Sequence, residues 1–119
     1  MEPSRYKHCH PELLFEMVGG DRDIFLQLVE IFKRDSLEKL QAMRQAMEQG
    51  NLPQLAFNSH ALKGTVGPLG VDALVEDLIR IEDECNRGQA GCDAQKLADL
   101  TREIDAIREE VEHFVVNHR

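Results

Sequence analysis

Leu97-Ala-Asp-Leu-Thr-Arg-Glu-Ile-Asp-Ala-Ile-Arg-Glu-Glu-Val-Glu-His-Phe114 decides the fold. Its apolar residues Leu97, Leu100, Ile104, Ile107, Val111 and Phe114 recur at spacings of three, four, three, four and three. That alternation holds one stripe on a single face of a helix of about 3.6 residues per turn and favours neighbours crossing near +20°. A helix from about Asp93 to Val116, packed against antiparallel partners, is the expectation.

Working outward, Gly88 and Gly91 separate this helix from one over about Asp72 to Asn86, whose inward residues are Leu74, Leu78, Ile81 and Cys85. Before it, Asn51 is an N-cap and Pro53 sits in the first turn, where a missing N–H leaves no bond unmade. The helix they open turns Leu55, Ser59, Leu62 and Val66 inward and is closed by Pro68 and Gly70. A further helix, capped by Asp21 and ended by Gly50, carries Phe25, Leu28, Val29 and Phe32, then Leu37, Leu40, Met43 and Met47; a bend is expected near Asp35-Ser36. A short first helix, about Pro11 to Val18, stops at Gly19-Gly20. No segment alternates with period two, so the chain reads as all-α. The expected architecture is an antiparallel four-helix bundle with an additional short N-terminal helix, one domain over residues 1–119.

Charge excludes several functions. Fourteen basic against twenty-two acidic side chains give a net charge of -8, which opposes the attraction that drives binding to nucleic acids and anionic membranes. No stretch approaches the ~20 apolar residues of a membrane span, and the polar start Met1-Glu-Pro-Ser-Arg lacks the apolar region of a signal peptide. A cytoplasmic monomer is expected. Cys9, Cys85 and Cys92 are odd in number and lack paired C-x-x-C spacing, which argues for reduced thiols. His8-Cys9-His10 does not converge on one ion, and inward stripes that are almost wholly apolar offer no carboxylate or histidine ligands to a bundle metal. No metal site is expected. The cluster instead fronts the first helix, with Pro11 at its start and Glu12 at the positive end of its dipole.

Chemistry concentrates in His60-Ala-Leu-Lys-Gly-Thr-Val-Gly-Pro-Leu-Gly70. Lys63 and Gly64 lie one turn beyond His60, beside it on the helix surface. A neutral imidazole offers one lone-pair nitrogen as a nucleophile, Nε2 if Nδ1 keeps its proton, and a nearby cation offsets phosphoryl charge. Gly64 and Gly67 each cost about 1 kcal/mol relative to alanine inside a helix, so something needs the space. Close helix packing suits Gly67, whereas Gly64 points outward, where a docking partner is the better account. Phe57, one turn before His60, is an outward aromatic of the kind that serves an interface. With Ala61, Gly64 and Gly67 it makes the expected partner-binding face.

These residues resemble the His-x-Leu-Lys-Gly-x-x-x-x-x-Gly signature of histidine-containing phosphotransfer (HPt) domains, the relay modules of multistep two-component signalling. Gly19-Gly20-Asp21 leading into Phe25, Leu28 and Phe32 is similar to the family's opening segments, and Leu74 to Glu82 to its following helix. The resemblance implies that His60 accepts a phosphoryl group from a receiver-domain aspartate and passes it to another receiver. It further implies that Lys63 and Gly64 assist, and that Glu82 orients the imidazole. Receiver domains of response regulators and hybrid kinases are the implied partners, and Mg²⁺ belongs to them, so no cofactor is expected on this chain. Ser59 stands where alanine is common in the family, Thr65 and Val66 replace the usual Ser-Ala, and Gly67-Pro68 replaces a more helical pair; an early end to the helix is the expectation.

Neither a phosphate-binding loop of the G-x-x-x-x-G-K-[ST] type nor a kinase glycine-rich loop is present, which argues against ATP use and against an enzyme. Ala61 stands where sensor-kinase dimerisation domains commonly carry Glu. The competing reading is a non-catalytic helical adaptor that binds through the Phe57 and Gly64 face. Met1 and compact termini favour a free-standing protein over an excised hybrid-kinase domain.

Overall fold

A computed structural model describes residues 6–118. The polar start that argues against a signal peptide lies outside them. Five helices follow in order: α1 (Pro11–Met17), α2 (Arg22–Gln49), α3 (Leu52–Val66), α4 (Asp72–Asn86) and α5 (Ala94–Asn117), with a 3-10 turn at Gly67–Leu69 between α3 and α4. No strand occurs among the described residues. The Asp21, Asn51 and Asp93 side chains accept from the backbone N–H of Ile24, Gln54 and Lys96 at 3.1, 3.1 and 2.7 Å, which starts α2, α3 and α5. Asp93 is therefore a cap and not the first helical residue, and Val18 likewise caps α1 instead of extending it.

The 28 residues of α2, about 42 Å at ~1.5 Å each, account for the 44 Å long axis of the molecule. Short turns return the chain onto it, so α3 packs between α2 and α4 while α5 closes against α2. One core of aliphatic side chains fills the interior, led by Met43, Leu55, Leu62, Leu78, Ile81, Ile104 and Ile107. No helix of the described residues is long and apolar enough to cross a membrane.

Phase corrects one expectation in α2. The buried residues are Phe25, Val29, Phe32, Ser36, Leu40, Met43 and Ala46, while Leu37 is exposed. Four residues beyond Phe32 return to the same face, and five residues overshoot it by more than a third of a turn. Ser36 occupies the inward position because its hydroxyl donates to the Lys33 carbonyl at 3.3 Å, so burial leaves no donor unpaired. The helix runs unbroken through Asp35-Ser36.

Gly91 closes the α4–α5 connection against α4. A Cβ there would lie 2.6 Å from the Ile81 carbonyl oxygen and 3.3 Å from Cys85 Sγ. Gly91→Ala should therefore cost about 1–3 kcal/mol of stability by forcing backbone apart. A denaturant titration with an unchanged midpoint would show that the connection moves away freely. Cys9, Cys85 and Cys92 are all free and buried. Burial, with help from Asp93, pushes the Cys92 thiol up to about 11, so it remains protonated and unreactive at neutral pH.

Candidate functional site

The site begins with the polar residues of α3, which satisfy themselves and leave the helix face free. Asn58 Nδ2 donates to the Gln54 carbonyl at 2.8 Å, and the buried Ser59 hydroxyl donates to that of Leu55 at 2.8 Å. Thr65 donates to the Ala61 carbonyl at 3.1 Å. Leu55, Leu62 and Val66 are buried with Ser59, as their spacing requires. Ala56 and Asn58 are buried too, which the stripe of four did not anticipate. Two neighbouring helices flank α3, so its inward arc is wider than one stripe.

His60 stands on the opposite arc with its side chain 62% exposed. Its Nδ1 lies 3.0 and 3.2 Å from the two carboxylate oxygens of Glu82 on α4. An ionised carboxylate can only accept, so Nδ1 donates and carries the ring proton. Nε2 is then the nitrogen with the free lone pair. Lys63, one turn on, brings Nζ to 4.0 Å from Glu82 Oε1, so cation, carboxylate and imidazole form one group across the α3–α4 seam. Lys63 and Glu82 are each about three-quarters covered, at 28% and 24% side-chain exposure. They are better covered than the exposed His60 ring beside them.

Gly64 and Gly67 are both exposed, and a Cβ on either would meet nothing within 4 Å. Close helix packing is thereby overturned as the account of Gly67. It begins the 3-10 turn that Pro68 continues, and that turn returns Leu69 to the core. Phe57 is 64% exposed, the most exposed large apolar side chain among the described residues. Ala61 is half-buried.

Beside Ala61 and Gly64 runs an apolar groove that the motif alone does not reveal. Leu14 and Met17 of α1, Ile31 and Phe32 of α2, and Pro68 of the turn complete its walls. Met17 and Ile31 are exposed, at 62% and 42%. Their signal in the sequence is that they are apolar residues lying off every inward stripe. The other histidines are placed differently. His8 faces Glu103 at 3.1 Å and His10 faces Glu12 at 3.4 Å, while His113 pairs with the Tyr6 hydroxyl and His118 with the Phe114 carbonyl. No group of three or more His, Cys, Asp or Glu able to hold a metal ion occurs among the described residues.

Comparison with known proteins bears on the fold and the family. The chain is similar to the crystal structure of histidine-containing phosphotransfer protein B from Pseudomonas aeruginosa, at 22% identity and a TM-score of 0.81, over 94% of this chain and 97% of that one. It is also similar to the HPT domain of a sensor hybrid histidine kinase from Shewanella, at 15% identity and a TM-score of 0.73, over 92% and 95% of the two chains. Both likenesses show the shared helical fold. A comparison with curated protein sequences finds no match. The Hpt domain family model matches residues 27–110, a span that holds His60, Lys63, Gly64 and Glu82. The chain thus belongs to the Hpt domain family, and its function is histidine phosphotransfer with receiver domains in a phosphorelay.

Proposed function

We propose that His60 is the phosphoacceptor and that the face formed by Phe57, Ala61, Gly64 and Gly67 receives the partner. One observation carries this reading: Nδ1 of a mostly exposed imidazole is held by Glu82, which leaves the lone pair on Nε2, and a Cβ at Gly64, one turn on, would meet open space. Nε2 attacks the phosphorus of a receiver aspartyl phosphate. The new N–P bond forms as the P–O bond to the aspartate breaks, and the bonding pair leaves on the carboxylate oxygen. Nδ1 keeps its proton throughout, and Glu82 stabilises the positive charge that the ring acquires as its lone pair is shared. Lys63 offsets the charge on the transferring oxygens. The reverse sequence delivers the group to a second receiver.

The accepting aspartates and Mg²⁺ belong to the receivers, so this chain needs no cofactor and uses no ATP. The Hpt unit acts in the cytoplasm as a monomer, with no nucleic-acid or membrane partner. A protein that presents an aspartyl phosphate to Nε2 must also cover the neighbouring turns of α3, and the groove between Met17, Ile31 and Ala61 supplies apolar area there. Incubation with a panel of phosphorylated receiver domains tests the proposal. At least one should transfer label that is acid-labile and alkali-stable; a panel that yields only acid-stable label, or none, refutes it.

Docking and chemistry are separable through two residues of one face. Phe57→Ala should weaken receiver binding by about 1–3 kcal/mol without loss of fold, because the ring lies outside the core. Lys63→Ala should leave affinity nearly intact and slow single-turnover transfer by about ten-fold, because the cation is most useful when phosphoryl charge is present. Unchanged affinity in Phe57→Ala would move the docking surface elsewhere.

A further inference from the structure

The residues ahead of α1 form a strap whose anchor lies on a different helix from the groove. Glu110 of α5 directs its carboxylate at three successive backbone N–H groups: Oε2 accepts from Lys7 at 3.0 Å, and Oε1 accepts from His8 at 2.9 Å and from Cys9 at 3.1 Å. The Cys9 thiol, 1% exposed, points at Oε1 at 3.5 Å. Consecutive N–H groups gathered on one anion make a strong and directional clamp. Partial burial of Glu110 opposes its ionisation, but these donors outweigh burial and hold its carboxyl below the usual carboxylate range. One residue later the strap is tied a second time, where the His10 N–H donates to the Leu69 carbonyl at 2.7 Å.

α1 starts at once, at Pro11, and has only seven residues. So short a helix has little stability of its own and takes its position from what holds its ends. Leu14 and Met17 of this helix form one wall of the groove beside Ala61 and Gly64. Neither Glu110 nor the strap residues Lys7, His8 and Cys9 line that groove.

We propose that Glu110 is a positioning residue for receiver docking: by clamping the backbone of residues 7–9 it sets α1, and through α1 the wall of the groove that the receiver covers. The inference rests on the reading of the groove as part of the docking face. Glu110 lies outside both the groove and the His60, Lys63 and Glu82 group, so it acts through α1 alone. An isosteric carboxamide has one oxygen acceptor where the carboxylate has two, and its N–H₂ would face a backbone donor. Glu110→Gln therefore loosens the strap while preserving side-chain volume.

The test uses the receiver domain that transfers fastest in the panel above. Glu110→Gln should raise the half-saturating receiver concentration by about five-fold or more, and should leave the single-turnover rate at saturating receiver within about two-fold. Amide hydrogen exchange at Leu13 to Met17 should accelerate by about ten-fold, with α3 and α5 core amides unchanged, since only a local opening is involved. Met17→Gln should weaken docking in the native background and add little in the Glu110→Gln background, because neighbouring perturbations along one path are not additive. In the unaltered protein, saturating receiver should slow exchange at Lys7, His8 and Cys9, because coupling between two sites is reciprocal. This last measurement does not depend on how any variant folds. Faster exchange in α1 with unchanged receiver affinity, or no slowing at residues 7–9 on binding, overturns the proposal. A Met17→Gln variant that docks normally, with label still lost in His60→Gln, overturns the groove reading on which it rests and leaves the phosphoacceptor assignment standing.

Discussion

Replacing His60 with glutamine should abolish the transfer of label from every phospho-receiver that labels the native protein, while the fold and receiver binding persist. The side chain is mostly exposed and its one polar partner is Glu82 at the surface, so a neutral amide there disturbs no packing. An amide nitrogen has no lone pair available for attack on phosphorus, so the loss should be complete, not partial. Retained binding with lost transfer would also separate the relay from an adaptor that only docks. Carboxylate pairing does not single out His60, since His8 and His10 also face glutamates. What sets His60 apart is a lysine and a glycine at i+3 and i+4, which none of His8, His10, His113 and His118 possesses. Label that persists in His60→Gln, or that maps to one of those four, would remove the assignment.

Gly64→Gln should divorce stability from activity. Gly64 lies within α3, and a Cβ added there meets nothing within 4 Å. The substitution should stabilise the helix by about 0.5–1 kcal/mol, the intrinsic penalty of glycine being relieved. Transfer should nevertheless fall by at least about ten-fold, because the new side chain projects one turn from the nucleophile into the volume a docking partner must occupy. Denaturant titration and single-turnover transfer on the same preparation decide the matter. A destabilised variant that transfers normally would mean that Gly64 serves packing. Gly91 supplies the contrast, since its substitution collides with the Ile81 backbone.

Local periodicity explains why so much of the fold is legible in the residues themselves. The six apolar positions of α5, the four of α4 and the four inward residues of α3 are all buried, because 3.6 residues per turn maps sequence spacing onto one face. The caps at Asp21, Asn51 and Asp93 follow from side-chain acceptors that need only their own next turn. Lys63 and Gly64 beside His60 are likewise a property of one helix. Leu37 is where that logic fails, in a long stripe with apolar residues on either side of the true phase, where the back-bonded Ser36 takes the inward place.

Other features depend on elements that the chain brings together from far apart. The contact between His60 Nδ1 and Glu82 spans 22 positions and two helices; family resemblance points to Glu82, and spacing alone would not. The apolar groove draws on α1, α2, α3 and the 3-10 turn, so its shape is defined only once all four are packed. The Glu110 clamp joins residues about one hundred positions apart. By itself the sequence determined the helices, their buried faces and the juxtaposition of His60, Lys63 and Gly64 on one turn, since these are set by interactions within about four residues. Tertiary structure alone decided which nitrogen of His60 stays free, what lies beside it and what holds α1 in place, because those depend on side chains that packing, not spacing, brings within reach.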